Sequence, residues 1–193
     1  MNKLERSFYL RDPLIVAKDL LGKHLVHKTR DCRIVGRIVE TEAYVGPEDR
    51  ACHAYGMRRT KRNEIMYHEG GFSYVYFIYG MYYCFNVVTE QKDNPSAVLV
   101  RAVEPIDGIG HMARLRYGRD LLSLSTSQRS GLCNGPGKLC MSMGIGKAEN
   151  GLDLCGSTLY ICDAHNEPFS VKSSPRINID YAGEYKDKPW RFY

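Results

Sequence analysis

The hydrophobic positions along the first half of the chain predict one helix followed by a series of strands. Asp12 followed by Pro13 is typical of a helix N-cap and first helical position, and the apolar stretch that follows should end at Gly22. Beyond it, short runs rich in valine, isoleucine and tyrosine are typical of strands. The strands predicted here are residues 24–28, 32–44, 73–79, 82–88 and 97–103.

Glycine and proline mark the interruptions in this pattern. Gly36 predicts a bulge in the long strand 32–44, and Gly80 predicts the reversal between the next two strands. Short helical turns are expected after Pro47 and after Thr60. Two or three helices should fill residues 107–143, the last of them ending near Gly144. Three further strands are predicted, over residues 158–162, 169–172 and 176–179.

Successive predicted strands often lack the room that a crossover helix needs, so they should pair antiparallel. The 193 residues suit one domain, and the hydrophobic fraction of 44% is that of a globular chain. No apolar run approaches the roughly 20 residues needed to span a bilayer, and the N-terminus lacks the apolar segment of a secretory signal. We therefore predict one mixed domain over residues 1–193, with an intracellular location.

Basic residues concentrate in two runs. Lys and Arg outnumber Asp and Glu by 27 to 22, a modest excess for a nucleic-acid binder, so the distribution matters more than the total. The first run lies at residues 58–62 and the second at residues 114–119. On composition alone, either run could be simply a solvated face.

The seven cysteines do not indicate a metal centre. Their number is odd, no CxxC motif occurs, and zinc ligands usually lie two to four residues apart. In an intracellular chain they should be reduced, buried, small apolar residues.

Two charged residues in predicted strands are candidates for chemistry. If side chains alternate along the long strand, Glu40, Glu42 and Tyr44 share one face. Glu42 lies where the strand meets a Gly-Pro turn, a common position for catalytic groups. Arg101 interrupts an apolar strand and must reach water or a carboxylate. The plain alternatives are a surface carboxylate and a structural ion pair.

Two further stretches could contact a ligand. Residues 134–140 (NGPGKLC) form a glycine-rich turn that opens a helix, and its free N–H groups with Lys138 suit a phosphate, although the P-loop pattern is not met. Residues 74–86 (YVYFIYGMYYCFN) hold five of the fourteen tyrosines. These rings could be core, or they could form a surface that stacks on something flat.

Taken together, seven blocks of the sequence resemble the alkyladenine (3-methyladenine) DNA glycosylases. The blocks occur in the order typical of that family and cover most of the chain, although residues 147–173 match none of them. ETEAYVGPED combined with YVYFIYGMYYCFN is the most specific part. The blocks are DLLGKHLV, GRIVETEAYVGPEDRACHA, TKRN, YVYFIYGMYYCFNV, VLVRAVEP, GPGKLC and AGEYKDKPWRFY.

The resemblance implies a monofunctional base-excision enzyme of the α+β class, with a single domain built on a curved, mainly antiparallel β-sheet flanked by helices. Such an enzyme flips an alkylated or deaminated purine out of double-stranded DNA and hydrolyses its N-glycosidic bond. The lesions implied are of the 3-methyladenine, 7-methylguanine and hypoxanthine class. The family works without a metal or organic cofactor and away from membranes, and a monomer fits it.

The resemblance assigns the chemistry to Glu42 and Arg101. Glu42 would be the general base that activates the attacking water, and Arg101 would help to hold that water. The glycosidic bond breaks through an oxocarbenium-like transition state, whose positive charge a carboxylate also favours. The competing function is a non-catalytic nucleic-acid-binding module, which loss of Glu42 or Arg101 would indicate; both are present.

The same resemblance places five residues around the flipped base. Tyr44 and Tyr76 would stack on it, and His53 would form a hydrogen bond to it. Asn86 would screen normal purines. The backbone near Ile179 would close the rear of the pocket.

Five more residues would face the DNA. Tyr79 would wedge into the duplex and fill the space that the flipped base leaves, with Gly80 and Met81 beside it. Arg62 and Lys138 would contact the DNA backbone. The core of this stretch would come from four side chains, Val75, Phe77, Ile78 and Phe85.

Overall fold

An antiparallel sheet of eight strands organises the chain in the computed structural model, which describes residues 2–164 and 168–193. The strands run in the order β3-β4-β5-β2-β1-β6, while β8 pairs with β2 and β7 pairs with β8. The α+β class is therefore confirmed. The strands are β1 (His24–Lys28), β2 (Arg33–Tyr44), β3 (Ser73–Ile78), β4 (Tyr82–Thr89), β5 (Ser96–Asp107), β6 (Leu159–Cys162), β7 (Ser173–Ser174) and β8 (Arg191–Phe192).

Short helices join and cover the strands. Helix α2 begins as predicted, because the Asp12 carboxylate accepts hydrogen bonds from the N–H groups of Leu14 and Ile15. Three helices lie between residues 107 and 143, also as predicted. The α-helices are α1 (Arg6–Tyr9), α2 (Pro13–Asp19), α3 (Ile109–Tyr117), α4 (Thr126–Ser130) and α5 (Pro136–Met143). The 3₁₀-helices are Tyr55–Met57, Glu64–Tyr67, Leu121–Ser123, Lys147–Glu149 and Asp180–Asp187.

The largest apolar core joins the sheet to α2, α3 and α5. The predicted bulge in β2 is present, since its pairing with β5 shifts register between Val35 and Gly36. A Cβ atom on Gly36 would lie 2.5 Å from Cγ2 of Val103, so the two strands approach closely at this glycine. Five of the seven cysteines are buried and all seven are free thiols. Among the described residues, no helix has the length and apolarity that crossing a membrane requires.

Two of the predicted strands are wrong. Lys172 exchanges backbone hydrogen bonds with Tyr193, but the strand there is confined to Ser173–Ser174. Residues 176–179 form an irregular segment, in which Asn178 has a positive φ of 59°. Ile177 and Ile179 of this segment line a cavity and do not pair in a β-ladder, so the apolar composition of the segment reflects the cavity wall and not strand pairing.

Candidate active site

A cavity of about 230 Å³ opens beside strands β2 to β5. This volume lies below the range of about 300–1,000 Å³ usual for drug-sized ligands, so the cavity suits one small, flat group. Its walls come from four strands, the turn after β2, the start of α5 and residues 177–181. All five residues predicted to surround a base line it, namely Tyr44, His53, Tyr76, Asn86 and Ile179.

Glu42 lies behind the wall of this cavity, with none of its surface exposed. Its Oε1 accepts a hydrogen bond from the N–H of Ile177 at 2.8 Å and lies 3.1 Å from Nη1 of Arg101. Its Oε2 accepts a hydrogen bond from the Tyr44 hydroxyl at 2.8 Å. Burial, and then the charge of Glu42, raise the pKa of Tyr44 well above its ordinary value, so the phenol keeps its proton and donates. A buried carboxylate needs such partners, and here three groups supply them.

Arg101 connects Glu42 to a second carboxylate. Its Nε donates to Oε1 of Glu40 at 2.9 Å, and Nε of Arg191 lies 3.0 Å from the same oxygen. Burial alone would lower the pKa of Arg101, but the charges of Glu42 and Glu40 outweigh it and raise the pKa. Glu40, Glu42 and Tyr44 therefore share one face as predicted, and Arg101 is both ion-paired and part of the cavity wall.

His53 stands in a wall of tyrosine rings. Its Nδ1 lies 2.8 Å from the hydroxyl of Tyr74, and its ring meets that of Tyr76 edge-on at 4.7 Å. Although His53 is exposed on one side, desolvation of its imidazole and the nearby charge of Arg62 lower its pKa to about 4. The ring is therefore neutral at neutral pH. When the Tyr74 hydroxyl donates to Nδ1, the Nε2–H group remains to donate to a ligand.

Asn86 lies at the floor of the cavity on β4. It is buried, and its Nδ2 donates to the backbone oxygen of Tyr74 at 3.0 Å. This bond across the β3–β4 pair fixes the orientation of the amide. Ile177, Asn178 and Ile179 also line the cavity.

The hairpin between β3 and β4 has an aromatic tip. Tyr79 and Gly80 have positive φ angles of 54° and 67°, and the N–H of Met81 donates to the oxygen of Ile78. This backbone projects Tyr79 and Met81 outward, with 71% and 63% of their surface exposed. The prediction that Phe77 is core is wrong, because 48% of its surface is exposed. Its ring packs 5.0 Å from that of Tyr83, its cross-strand partner in the hairpin.

The cations near the cavity differ in their surroundings. The guanidinium of Arg62 lies 5.3 Å over the Tyr76 ring and donates to the backbone oxygen of Phe77. Lys138, in the first turn of α5, donates to Oδ1 of Asn134 at 2.9 Å. Arg59 belongs to the same basic run as Arg62, yet it is tied to two carboxylates, Glu64 and Asp93.

Sequence reasoning missed four residues near the site. Asp49 and Arg176 form a fully buried ion pair, and the guanidinium of Arg176 lies between the rings of Tyr44 and Trp190. Tyr181 lines the cavity at its mouth with 71% of its surface exposed. Asp49 and Trp190 lie within two of the blocks, but the pairing of Asp49 with Arg176 spans 127 residues and no local pattern reveals it. In the described part of the chain, no three His, Cys, Asp or Glu side chains are close enough together to hold a metal ion.

A ring-lined cavity backed by a buried carboxylate–arginine pair, with an aromatic hairpin tip at its edge, has the features of an enzyme that acts on a nucleobase. The methylpurine-DNA glycosylase (MPG) family matches residues 7–193 of this chain. The chain therefore belongs to that family, whose members are hydrolases of N-glycosyl bonds, and the resemblance inferred from its motifs is confirmed.

Individual relatives support the same assignment. A protein of Desulfitobacterium hafniense (strain Y51) is 54% identical over 193 residues, covering 100% of this chain and 95% of its own length. A protein of Clostridium novyi (strain NT) is 53% identical with the same coverage. Both carry the name "Putative 3-methyladenine DNA glycosylase".

Proposed function

We propose that this chain is a monofunctional DNA glycosylase that flips alkylated or deaminated purines out of double-stranded DNA and hydrolyses their N-glycosidic bond. Its substrates are lesions of the 3-methyladenine, 7-methylguanine and hypoxanthine class, and it acts as a monomer on intracellular DNA. The observation that carries the proposal is the buried Glu42 carboxylate, held by three donors directly behind a ring-lined cavity.

The aromatic residues provide for capture of the base. A purine in the cavity stacks against Tyr44 and Tyr76, and His53 donates to it from Nε2. Stacking on aromatic rings contributes roughly 1–3 kcal/mol per base, comparable to the few kcal/mol that extrusion costs. Tyr79 at the hairpin tip occupies the space left in the duplex. Capture is therefore favourable when the pairing of the base is already weakened by damage.

The donors around Glu42 leave one oxygen able to act as a base. Oε1 already accepts a hydrogen bond from the N–H of Ile177 and is ion-paired with Nη1 of Arg101, whereas among the described residues Oε2 accepts from Tyr44 alone. Each carboxylate oxygen offers about two lone pairs. Oε2 therefore takes the proton from a water held beside Arg101. The water oxygen bonds to C1′ of the sugar, and the electrons of the broken glycosidic bond leave with the purine. The charge of Glu42 also stabilises the developing oxocarbenium ion.

Replacing the base tests this mechanism. Glu42→Gln keeps the shape of the side chain but cannot take a proton from water, so base release should fall by about 10²–10⁴-fold while lesion binding is retained. Single-turnover release from a duplex with one hypoxanthine, revealed as strand scission in hot alkali, measures the first quantity, and a gel shift measures the second.

The control is Glu104→Gln, because Glu104 is an exposed carboxylate paired with Arg37. It should leave both quantities unchanged. A Glu42→Gln rate within threefold of the parent would remove Glu42 from this role. Binding without scission by the parent protein would identify a nucleic-acid-binding module instead of an enzyme.

A further inference from the structure

Asp49 and Arg176 form an ion pair whose two side chains are completely buried. Nη2 of Arg176 donates to Oδ1 of Asp49 at 2.8 Å, and Nη1 donates to Oδ2 and also to the backbone oxygen of Ala43. Neither residue lines the substrate cavity. Burying two charges is unfavourable unless their geometry is good, so a pair at this position calls for an explanation beyond packing.

Each partner of the pair is tied to a different wall of the cavity. The carboxylate of Asp49 accepts from the N–H groups of Val45 and Ala51, which fixes the turn that leads to His53. Arg176 directly precedes Ile177, whose N–H donates to Oε1 of Glu42. The ion pair therefore links the wall that carries the base-binding histidine to the segment that holds the carboxylate.

The guanidinium plane of Arg176 also supports Tyr44. Its central carbon lies 4.7 Å from the centroid of the Tyr44 ring and 5.0 Å from that of Trp190. Tyr44 in turn donates to Oε2 of Glu42. Arg176 thus acts on both oxygens of the carboxylate, through Ile177 at Oε1 and through Tyr44 at Oε2, without touching either oxygen itself.

We propose that Arg176, held by Asp49, is a positioning residue for base excision that keeps the Glu42 carboxylate in one orientation toward the sugar. This inference rests on the proposed role of Glu42 as general base. Lysine cannot replace Arg176 here, because it lacks both the planar face that stacks between two rings and the fork that bonds a carboxylate twice. Misplacing a reacting group by about 1 Å can slow a reaction about 100-fold.

The test compares the same substitution at two arginines. Arg176→Lys should slow single-turnover base release at saturating enzyme about 100-fold, while the dissociation constant for lesion-containing DNA stays within about threefold of the parent value. Arg116→Lys is the matched control, because Arg116 also holds a backbone carbonyl, that of Leu132, but does not line the cavity. It should lower thermal stability without slowing base release.

A second variant keeps the inference testable if Arg176→Lys does not fold. An amide-to-ester replacement at residue 177 puts an oxygen in place of the N–H that donates to Glu42 while keeping the side chain, and it should also slow release without weakening binding. If the Arg176→Lys protein folds, base release within threefold of the parent overturns the proposal. If it does not fold, the same result in the ester variant overturns it. Full activity of Glu42→Gln would contradict both the proposed mechanism and this proposal. If Glu42→Gln is inactive but Arg176→Lys is fully active, only this proposal is contradicted.

Discussion

At the scale of single residues, surroundings separate side chains of the same type. Glu40 and Glu42 lie two positions apart on one face of β2, yet Glu40 is partly exposed and pairs only with arginines. Glu42 is fully buried, is ion-paired with an arginine, and accepts hydrogen bonds from a backbone N–H and a phenol. Glu40 and Glu42 therefore differ in their burial and their partners and not in their residue type.

Asn86 should discriminate between purines by rejection. Guanine differs from hypoxanthine by its 2-amino group, and a fixed amide can exclude that group by crowding or by leaving a donor unpaired. Because the Nδ2 bond to Tyr74 holds the amide in place, Asn86→Ser should raise release of undamaged guanine relative to hypoxanthine. Paired single-turnover assays on the two duplexes give the ratio.

Asn150→Ser is the control for this prediction. Asn150 also bonds the backbone of β3, accepting from the N–H of Val75 at 2.9 Å, but it does not line the cavity. Its replacement should leave the ratio of the two rates unchanged. A ratio that is equally unchanged in Asn86→Ser would count against Asn86 as the discriminating residue.

Not all of the site could be predicted from the sequence. Glu42, Tyr44 and His53 lie within one block with a specific pattern, so they could be proposed from the sequence. Arg176 could not, because its partner Asp49 is 127 residues away. A contact between side chains so distant in the chain leaves no periodicity or spacing that a single sequence could reveal.

At the scale of elements, the β3–β4 hairpin answers the question raised by its many rings. Phe85 is buried in the main core, Tyr76 lines the cavity and Tyr79 projects from the tip. One short hairpin therefore supplies core, cavity lining and an exposed aromatic tip. Alternation along the strands separates the first two, and the tight turn at Tyr79 and Gly80 produces the third.

Removing the ring at this tip should weaken base flipping and not folding. Tyr79→Ser keeps a non-glycine residue at this positive-φ position and removes a side chain that is 71% exposed, so little buried surface is lost and the melting temperature should barely change. Losing a stacking contribution of roughly 1–3 kcal/mol predicts about 5- to 150-fold weaker capture of the lesion. A 2-aminopurine beside the lesion reports flipping directly.

Two comparisons test the wedge. Leu122→Ser removes another exposed apolar side chain, 87% exposed and absent from the cavity lining, and should have no effect on flipping. The Tyr79→Ser defect should also shrink on single-stranded DNA, where there is no stack to fill. If Tyr79→Ser unfolds the protein or leaves the reporter signal unchanged, the wedge role is excluded.

The two wrong strand predictions belong to this scale as well. Local composition predicts strands wherever apolar and β-branched residues cluster, but a strand needs a partner ladder. The Ile177 N–H donates to Glu42 instead, so the segment 176–179 leaves the sheet to complete the site. In this segment a tertiary hydrogen bond outweighs the local preference for a β-strand.

At the scale of the whole molecule, the net charge is +5, but some of the basic side chains are already paired with carboxylates of the protein. Arg59 is occupied by Glu64 and Asp93, and Arg114 by Asp120. Within residues 2–164 and 168–193, neither Arg58 nor Arg62 forms a salt bridge. Within the basic run at residues 58–62, Arg59 is therefore engaged in surface ion pairs, whereas Arg58 and Arg62 keep charges that could meet a phosphate.

DNA binding should weaken steeply with salt, because cations that meet phosphates release counterions from the DNA. Lys138 is a solvent-exposed candidate at the start of α5, beside the cavity-lining Pro136 and Gly137. If Lys138 meets a phosphate, Lys138→Ala should make the slope of log affinity against log salt shallower by about one. Fluorescence anisotropy at several salt concentrations gives this slope.

Arg59→Ala is the matched control, because two carboxylates at the surface, Glu64 and Asp93, already pair with its charge. It should change the slope much less than Lys138→Ala. An identical slope in the parent and in Lys138→Ala would show that Lys138 is only part of a solvated face.

The indole stacked on Arg176 belongs to Trp190, the single tryptophan of the chain. Light absorbed at the long-wavelength edge of the aromatic band excites indole in preference to the fourteen tyrosines. At these wavelengths the intrinsic emission of the protein therefore comes mainly from this one indole, which lies 5.0 Å from the guanidinium carbon of Arg176. Tryptophan fluorescence can therefore report changes in the packing around Arg176 without an added dye or label.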